Sequence, residues 1–450
     1  MDQEQTLFGT PEMSSIFSAE AHVAALLAFE AGLARAEARA GVIPVSAADT
    51  IAAACRVELF DVAALYRDAV PAGTLAIPLV KTLTAQVGGE HGRYVHWGAT
   101  SQDAIDSAMM LQMRSGLDLL IDGLLEIGAA SAAHAAQHRR TPMIGRTLLQ
   151  QALPITFGLK AARWLALVSR QARRLHTLGS DALVVQFGGA VGTLSALGDD
   201  GLTVMQNLAE ELGLPIPDLP WHTERDRIAE LASAVGVVAG AMMKIAGDIV
   251  LLAQTEVGEV SEATAPGKGG SSAMPHKRNP VDATFAISSA RLAVGEVSTI
   301  LSAMANEHER AVGGWQVEWS ILPNLFGHTA GAVERVQSAV SGLDIDPARM
   351  QANLELTGGL MMAEPLTMAL AHSIGRPDAF RLVEAVTTRA RHANQSLRDV
   401  ALADKRIRSA LSAEEIDRAL DPANYLGSTD LFIDRALAEY RDVRSLREGV

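Results

Sequence analysis

The sequence predicts an all-α fold built on a central bundle of long helices, and three observations lead there. Hydrophobic residues make up 48% of the 450 while aromatics make up only 4%; Ala and Leu dominate, and these cost least in a helix, whereas strands draw on β-branched and aromatic residues. Apolar positions recur at spacings of three and four over unusually long stretches. No segment shows the sustained alternation of a strand network, and no fixed-period repeat is visible.

Taken in order, "SAEAHVAALLAFEAGLARAEARAG" (18–41) is an early helix closed by Gly41, followed by shorter helical pieces and loops up to "HWGATSQD". Long helices are expected over 104–138, 154–178, 226–262, 281–309 and 325–342. A helix of about 35 residues spans roughly 50 Å. Several of them are apolar on more than one face, which requires several packing neighbours and further burial between subunits. Beyond 350, shorter helices such as "DPARMQANLELTGG" and "EPLTMALAHSIG" are separated by Gly or Pro, and a last one follows "DPANYLGSTD". The expected organisation is a helical N-terminal domain (1–105), a long-helix bundle domain (106–350) and a helical C-terminal domain (351–450).

The formal charge of −14 argues against nucleic acid as a partner, which needs a basic face. An anionic substrate has to be met by local cations. The single cysteine, Cys55, excludes an internal disulfide; it reads as a packing residue in a chain of a reducing compartment, and the expected location is cytoplasmic. The start "MDQEQTLFGT" has no signal-peptide pattern. "LASAVGVVAGAMM" (231–243) reads as a buried helix too short to span a membrane, so no membrane partner is expected.

The most unusual stretch is "GKGGSSAMPHKRNP" (267–280). Asn279 then Pro280 is a helix-start signal, because Asn caps well and Pro suits the first helical position. The helix entered there would present unpaired amides and partial positive charge, an anion site, with Lys277 and Arg278 adding full charges. Gly267, Gly269 and Gly270 would make the other side of the loop mobile, as in a lid. A serine is a poor base in water but a usable one when cations and amides stabilise its alkoxide; Ser271 and Lys277 are spaced for that. Taken residue by residue, a solvated linker remains the alternative.

As a whole, "GSSAMPHKRNP" (270–280) resembles the Gly-Ser-Ser-x-Met-Pro-x-Lys-x-Asn signature of the fumarase/aspartase superfamily. "HWGATSQD" (96–103) and "GRTLLQQALPITFG" (145–158) resemble its other two conserved blocks, so the likeness extends over nearly the whole chain. The resemblance implies a three-domain fold, a homotetramer with a core of about twenty helices, active sites assembled from three chains, Ser271 as the catalytic proton carrier, and a small polycarboxylate substrate. Many relatives carry histidine after "GRT", and adenylosuccinate lyases carry one just before the "A-x-P"; Leu148 and Gln151 stand there in this chain. An imidazole acid from this block is therefore missing. That suits a reaction whose leaving group is itself a carboxylate, as in the lactone-forming branch of the superfamily, which "HERAVGGWQVEW" (308–319) also resembles. The implied reaction is ring closure of 3-carboxy-cis,cis-muconate in aromatic catabolism, by addition of a carboxylate to a conjugated alkene. The alternatives are an adenylosuccinate lyase-like or other fumarate-releasing lyase, and a non-catalytic, crystallin-like helical tetramer.

For the substrate carboxylates the expected donors are Lys277 and Asn279, then Thr100 and Ser101 at a capping-box helix start, then Thr147 and Gln150. His96 and Arg310 are further candidates; packing beside Trp97 competes for the first and a helix-end salt bridge for the second. "GGAVGT" (188–193) lacks the Lys and strand of a phosphate loop and reads as a turn. His222 and Glu224 have no third ligand spaced for a metal. No metal and no cofactor is expected.

Overall fold

A computed structural model describes residues 5–264, 269–270, 273–274 and 276–448. Ser271 lies outside the described residues, as do Gly267 and Lys268. The chain falls into two compact units, one of residues 1–124, 170–244 and 285–335 and the other of 125–169, 245–284 and 336–450.

The long helices are Ser101–Gln137, Phe157–Ala182, Asp226–Ala253, Val281–Ser302 and Gly314–Ser341. The early helix is Ala19–Arg39, started by the Ser18 hydroxyl, which accepts from the Ala21 amide. In the first unit, helices approach closely where glycine permits it: Gly236 lies against Val297 with no room for a Cβ. In the second, Leu366, Leu370, Val386, Leu397, Ile407 and Ile416 form the apolar core of the C-terminal helices.

Several helix boundaries differ from expectation, and for two of them the local cause is visible. The helix expected from 154 starts at Phe157, because Thr156 caps it by accepting from the Leu159 amide at 3.0 Å. The residues before it form a hairpin, β1 (Pro142–Thr147) and β2 (Gln150–Thr156). Its two-residue tip is Leu148–Leu149, both at positive φ (51° and 62°). Such a turn is normally marked by Asn-Gly, so the sequence carried no sign of it. The helix expected over 226–262 ends at Ala253; Gly258 turns the chain at φ 61°, and β3 (Val260–Glu262) pairs antiparallel with β4 (Leu343–Ile345). The 281–309 helix stops at Ser302, and the one expected from 325 begins at Gly314.

Segment 231–243 is the middle of an apolar helix of 28 residues, so the judgement that it is too short for a span is corrected: Ser101–Gln137 and Asp226–Ala253 both have the length and composition to cross a membrane. In the latter, 56% of the apolar window is buried inside the chain, as in a core helix.

Candidate active site

In the first unit, the structure builds a polar corner around Asp103, a fully buried residue in the first turn of the Ser101–Gln137 helix. Its carboxylate takes four donors. Oδ1 accepts from the Gly188 amide (2.9 Å) and His222 Nε2 (2.8 Å); Oδ2 accepts from the amides of Thr100 (3.0 Å) and Gly189 (2.9 Å). Of the expected capping box only the Thr100 amide to Asp103 side is present. The Thr100 hydroxyl instead accepts from Arg310 Nη1 at 3.1 Å, while Arg310 Nη2 donates to the Ala190 carbonyl at 3.0 Å. Arg310 thus joins the "TSQD" block to the "GGAVGT" loop, which is the expected turn (Gly189–Val191) but is also pinned to the site. Ser101 follows as the first helical residue.

His96 does not join Thr100 directly. Its Nδ1 lies 2.6 Å from Glu30 Oε1. Burial pulls the ring's pKa down, but the Glu30 charge and hydrogen bond, with the field of Asp103, carry it above the usual imidazole value.

Below the corner lies a buried ion network. Arg225 donates to Asp106 (2.8 and 3.1 Å) and to Glu318 (2.9 and 2.5 Å), and Trp315 Nε1 and Gln102 Nε2 complete the Asp106 carboxylate. Trp315 and Glu318 sit just beyond Arg310, so the network anchors the segment that carries it. His222, Arg225 and Asp106 meet their charged partners across 93 to 119 residues of chain, so no local spacing could have revealed these pairs.

In the second unit, Thr147 and Gln150 face each other across the hairpin tip, both exposed. Arg146 beside them grips the buried Glu259 with two bonds (2.9 and 2.8 Å), and Asn353 Nδ2 also donates to Glu259. Gln151, at one of the positions where histidine was looked for, donates to the Asn353 carbonyl. Leu148 is 97% exposed.

Lys277 is exposed, its amide closing a turn on the Met274 carbonyl, and the Asn279 amide donates to the Gly269 carbonyl at 2.9 Å. A Cβ on Gly269 (φ 71°) would meet the Asn279 carbonyl at 2.9 Å, so this glycine serves a close crossing of the loop's two ends. The expected cap is corrected. The helix begins at Val281, and the amides of Asp282 and Ala283 donate to the two oxygens of Glu262 (3.1 and 2.8 Å). A buried carboxylate with two charge-assisted bonds outcompetes one Asn amide oxygen, and the anion already held at this helix start is the protein's own. Glu262→Gln is expected to destabilise by about 1–3 kcal/mol, because its NH2 faces an N–H; urea unfolding checks this.

Among the described residues, no group of His, Cys, Asp and Glu is placed to hold a metal ion. The first unit offers Arg310 and the Glu30-bound His96 as polar groups; the second, described by itself, offers the exposed Lys277.

The chain is similar to known lyases in sequence and in fold. A family model described as "Lyase" matches residues 7–295, and one described as "Adenylosuccinate lyase C-terminus" matches 359–436. A 3-carboxy-cis,cis-muconate cycloisomerase of Bradyrhizobium diazoefficiens is 50% identical over 92% of this chain and 92% of its own. One from Pseudomonas aeruginosa is 49% identical over 96% and 95%. The crystal structure of the 3-carboxy-cis,cis-muconate lactonizing enzyme from Pseudomonas putida superposes with a TM-score of 0.93 at 43% identity, covering 99% of this chain and all of that one (100%). By the extent of the family match and the identity to these relatives, the chain belongs to the lyase family of the fumarase/aspartase superfamily.

Proposed function

We propose that the protein is a cycloisomerase closing 3-carboxy-cis,cis-muconate to a carboxymuconolactone. One observation carries the reading: near full-length identity of about half to relatives of that name. The hairpin adds support, since Leu148 and Gln151 leave it without an imidazole. In the reaction one substrate carboxylate attacks the conjugated alkene, forming the ring C–O bond. The displaced π electrons build an aci-carboxylate on another carboxylate, and a proton arrives at the adjacent carbon. Read in reverse, the leaving group is a carboxylate and needs no strong acid. Ser271, by resemblance, is the proton carrier.

The substrate is a trianion, and preorganised cations and donors serve the charge that shifts between carboxylates. Arg310, held against Thr100, and His96 are suited to one carboxylate; Lys277 and Asn279 to a second; Thr147 and Gln150 to a third, with Ser101 beside Thr100. Arg310→Met is expected to lower kcat/KM by about 10- to 100-fold, the worth of one charge-assisted hydrogen bond; steady-state kinetics check this.

The proposed assembly is a cytoplasmic homotetramer in which the three chain regions 1–105, 106–350 and 351–450 act as domains and sites are shared between subunits. Apolar side chains exposed on long helices, among them Val237, Leu251, Leu292 and Leu301, support further burial between chains. The deciding experiment mixes purified protein with 3-carboxy-cis,cis-muconate and follows loss of the diene's ultraviolet absorbance. A flat trace from folded protein ends this reading, and release of AMP from adenylosuccinate would put the lyase alternative in its place.

A further inference from the structure

The Ala19–Arg39 helix carries two buried carboxyls, Glu30 and Glu37, seven residues apart and so on one face. Neither oxygen of Glu37, nor Oε2 of Glu30, has a hydrogen-bond partner. Burial first, and the charge of Glu30 second, push the Glu37 carboxyl up to about 9, so it is neutral at pH 7. Of the two carboxyls, Glu30 is the one with a side-chain partner, His96 Nδ1 at 2.6 Å. His96 keeps 14% exposure and sits at φ 58°. A non-glycine residue holds that backbone only where its surroundings over-determine it, and the Glu30 bond does so four residues before Thr100.

We propose that Glu30 is a positioning residue that holds His96 as an imidazolium, with Nδ1–H bound to Glu30, so that Nε2–H is a charged donor for a substrate carboxylate. The ring chemistry requires this tautomer: an ionised carboxylate only accepts, so Nδ1 carries a proton, and a second proton can reside only on Nε2. The charged neighbours are few. Asp103 faces His96 from the Ser101–Gln137 helix and favours the cation. Behind Glu30 stand neutral Glu37 and Cys55, whose thiol burial pushes up to about 12, and Arg35 acts on Cys55. This role rests on the polycarboxylate reading above.

The test titrates full-length protein labelled with 13C-histidine, the His96 signal being the one absent from His96→Gln. The wild-type signal is expected to titrate above an ordinary histidine, and Glu30→Gln to lower its midpoint by about one pH unit or more. In parallel, the alkaline limb of kcat/KM moves down by the same interval in Glu30→Gln. KM at pH 7.5 rises about tenfold while kcat stays within about threefold. Glu37→Gln, replacing an already neutral carboxyl, keeps the wild-type limb. A wild-type His96 that titrates at or below the ordinary value overturns the proposal, without need of any Glu30 variant. So does a folded Glu30→Gln protein with unchanged limb and KM. Should 3-carboxy-cis,cis-muconate not react at all, the functional reading fails, and the His96 titration still decides whether Glu30 holds the ring charged.

Discussion

Ser271→Ala is expected to fold and assemble like the parent and to lose about 10²- to 10⁴-fold in kcat, the usual contribution of a positioned proton carrier. The residue lies outside the described residues, and its neighbours together with the family signature support the expectation. Asn279 and Gly269 tie the two ends of the loop together, and Glu262 holds the helix that follows. Neither bond uses the Ser271 hydroxyl. Under the proposed assignment, truncating that hydroxyl spares these two contacts and removes the group assigned to carry the proton. The expected signature is a fall in kcat with KM little changed, because a group acting on the reacting carbon contributes in the transition state more than in binding. Stopped-flow loss of diene absorbance together with urea unfolding separates the two effects. Wild-type turnover in a folded variant would remove Ser271 from the chemistry.

The helical architecture was legible because it rests on short-range signals. Three- and four-residue apolar spacing marks Ala19–Arg39 and Ser101–Gln137 to within a few residues. The signature blocks were legible for the same reason, being contiguous. What escaped is whatever depends on distant partners. Asp103 was visible as a capping residue, but its role in fixing Gly188, Gly189 and His222 needs segments 85 to 119 residues away. Asn279–Pro280 was legible as a helix start, yet the cap is Glu262, which is 20 residues from Asp282. The β1–β2 hairpin was hidden because its tip puts leucines where turn chemistry calls for glycine or asparagine. That departure is itself informative: Leu148 and Leu149 adopt left-handed backbone at a cost while lying exposed beside Thr147 and Gln150.

Arg225→Met is expected to be the most damaging single substitution for folding, costing about 3–5 kcal/mol. Arg225, Asp106 and Glu318 are at most 4% exposed, so water cannot replace the lost guanidinium. Asp106 would keep Trp315 and Gln102 as donors, but Glu318 would lose both of its bonds to Arg225. The pH dependence identifies the cause. Burial already raises the Glu318 pKa, opposed by its hydrogen bond and ion pair with Arg225, with Asp106 adding to the rise. Without Arg225 that pKa climbs further, so the folded variant binds a proton that the unfolded chain releases near an ordinary glutamate pKa of about 4.3. The extra stability from that proton is full below the unfolded pKa and is lost as pH rises through the folded one. The variant should therefore lie closest to wild type near pH 5 and fall away toward pH 8. Adding Glu318→Gln should recover part of the loss at pH 8, since it removes the charge left unpaired. A flat pH response, or no recovery in the double variant, would point to lost packing against Trp221, over which the guanidinium stacks at 4.8 Å. Because this network anchors the start of the Gly314–Ser341 helix just beyond Arg310, the folded fraction of the variant should also show a raised KM if Arg310 binds a substrate carboxylate as proposed.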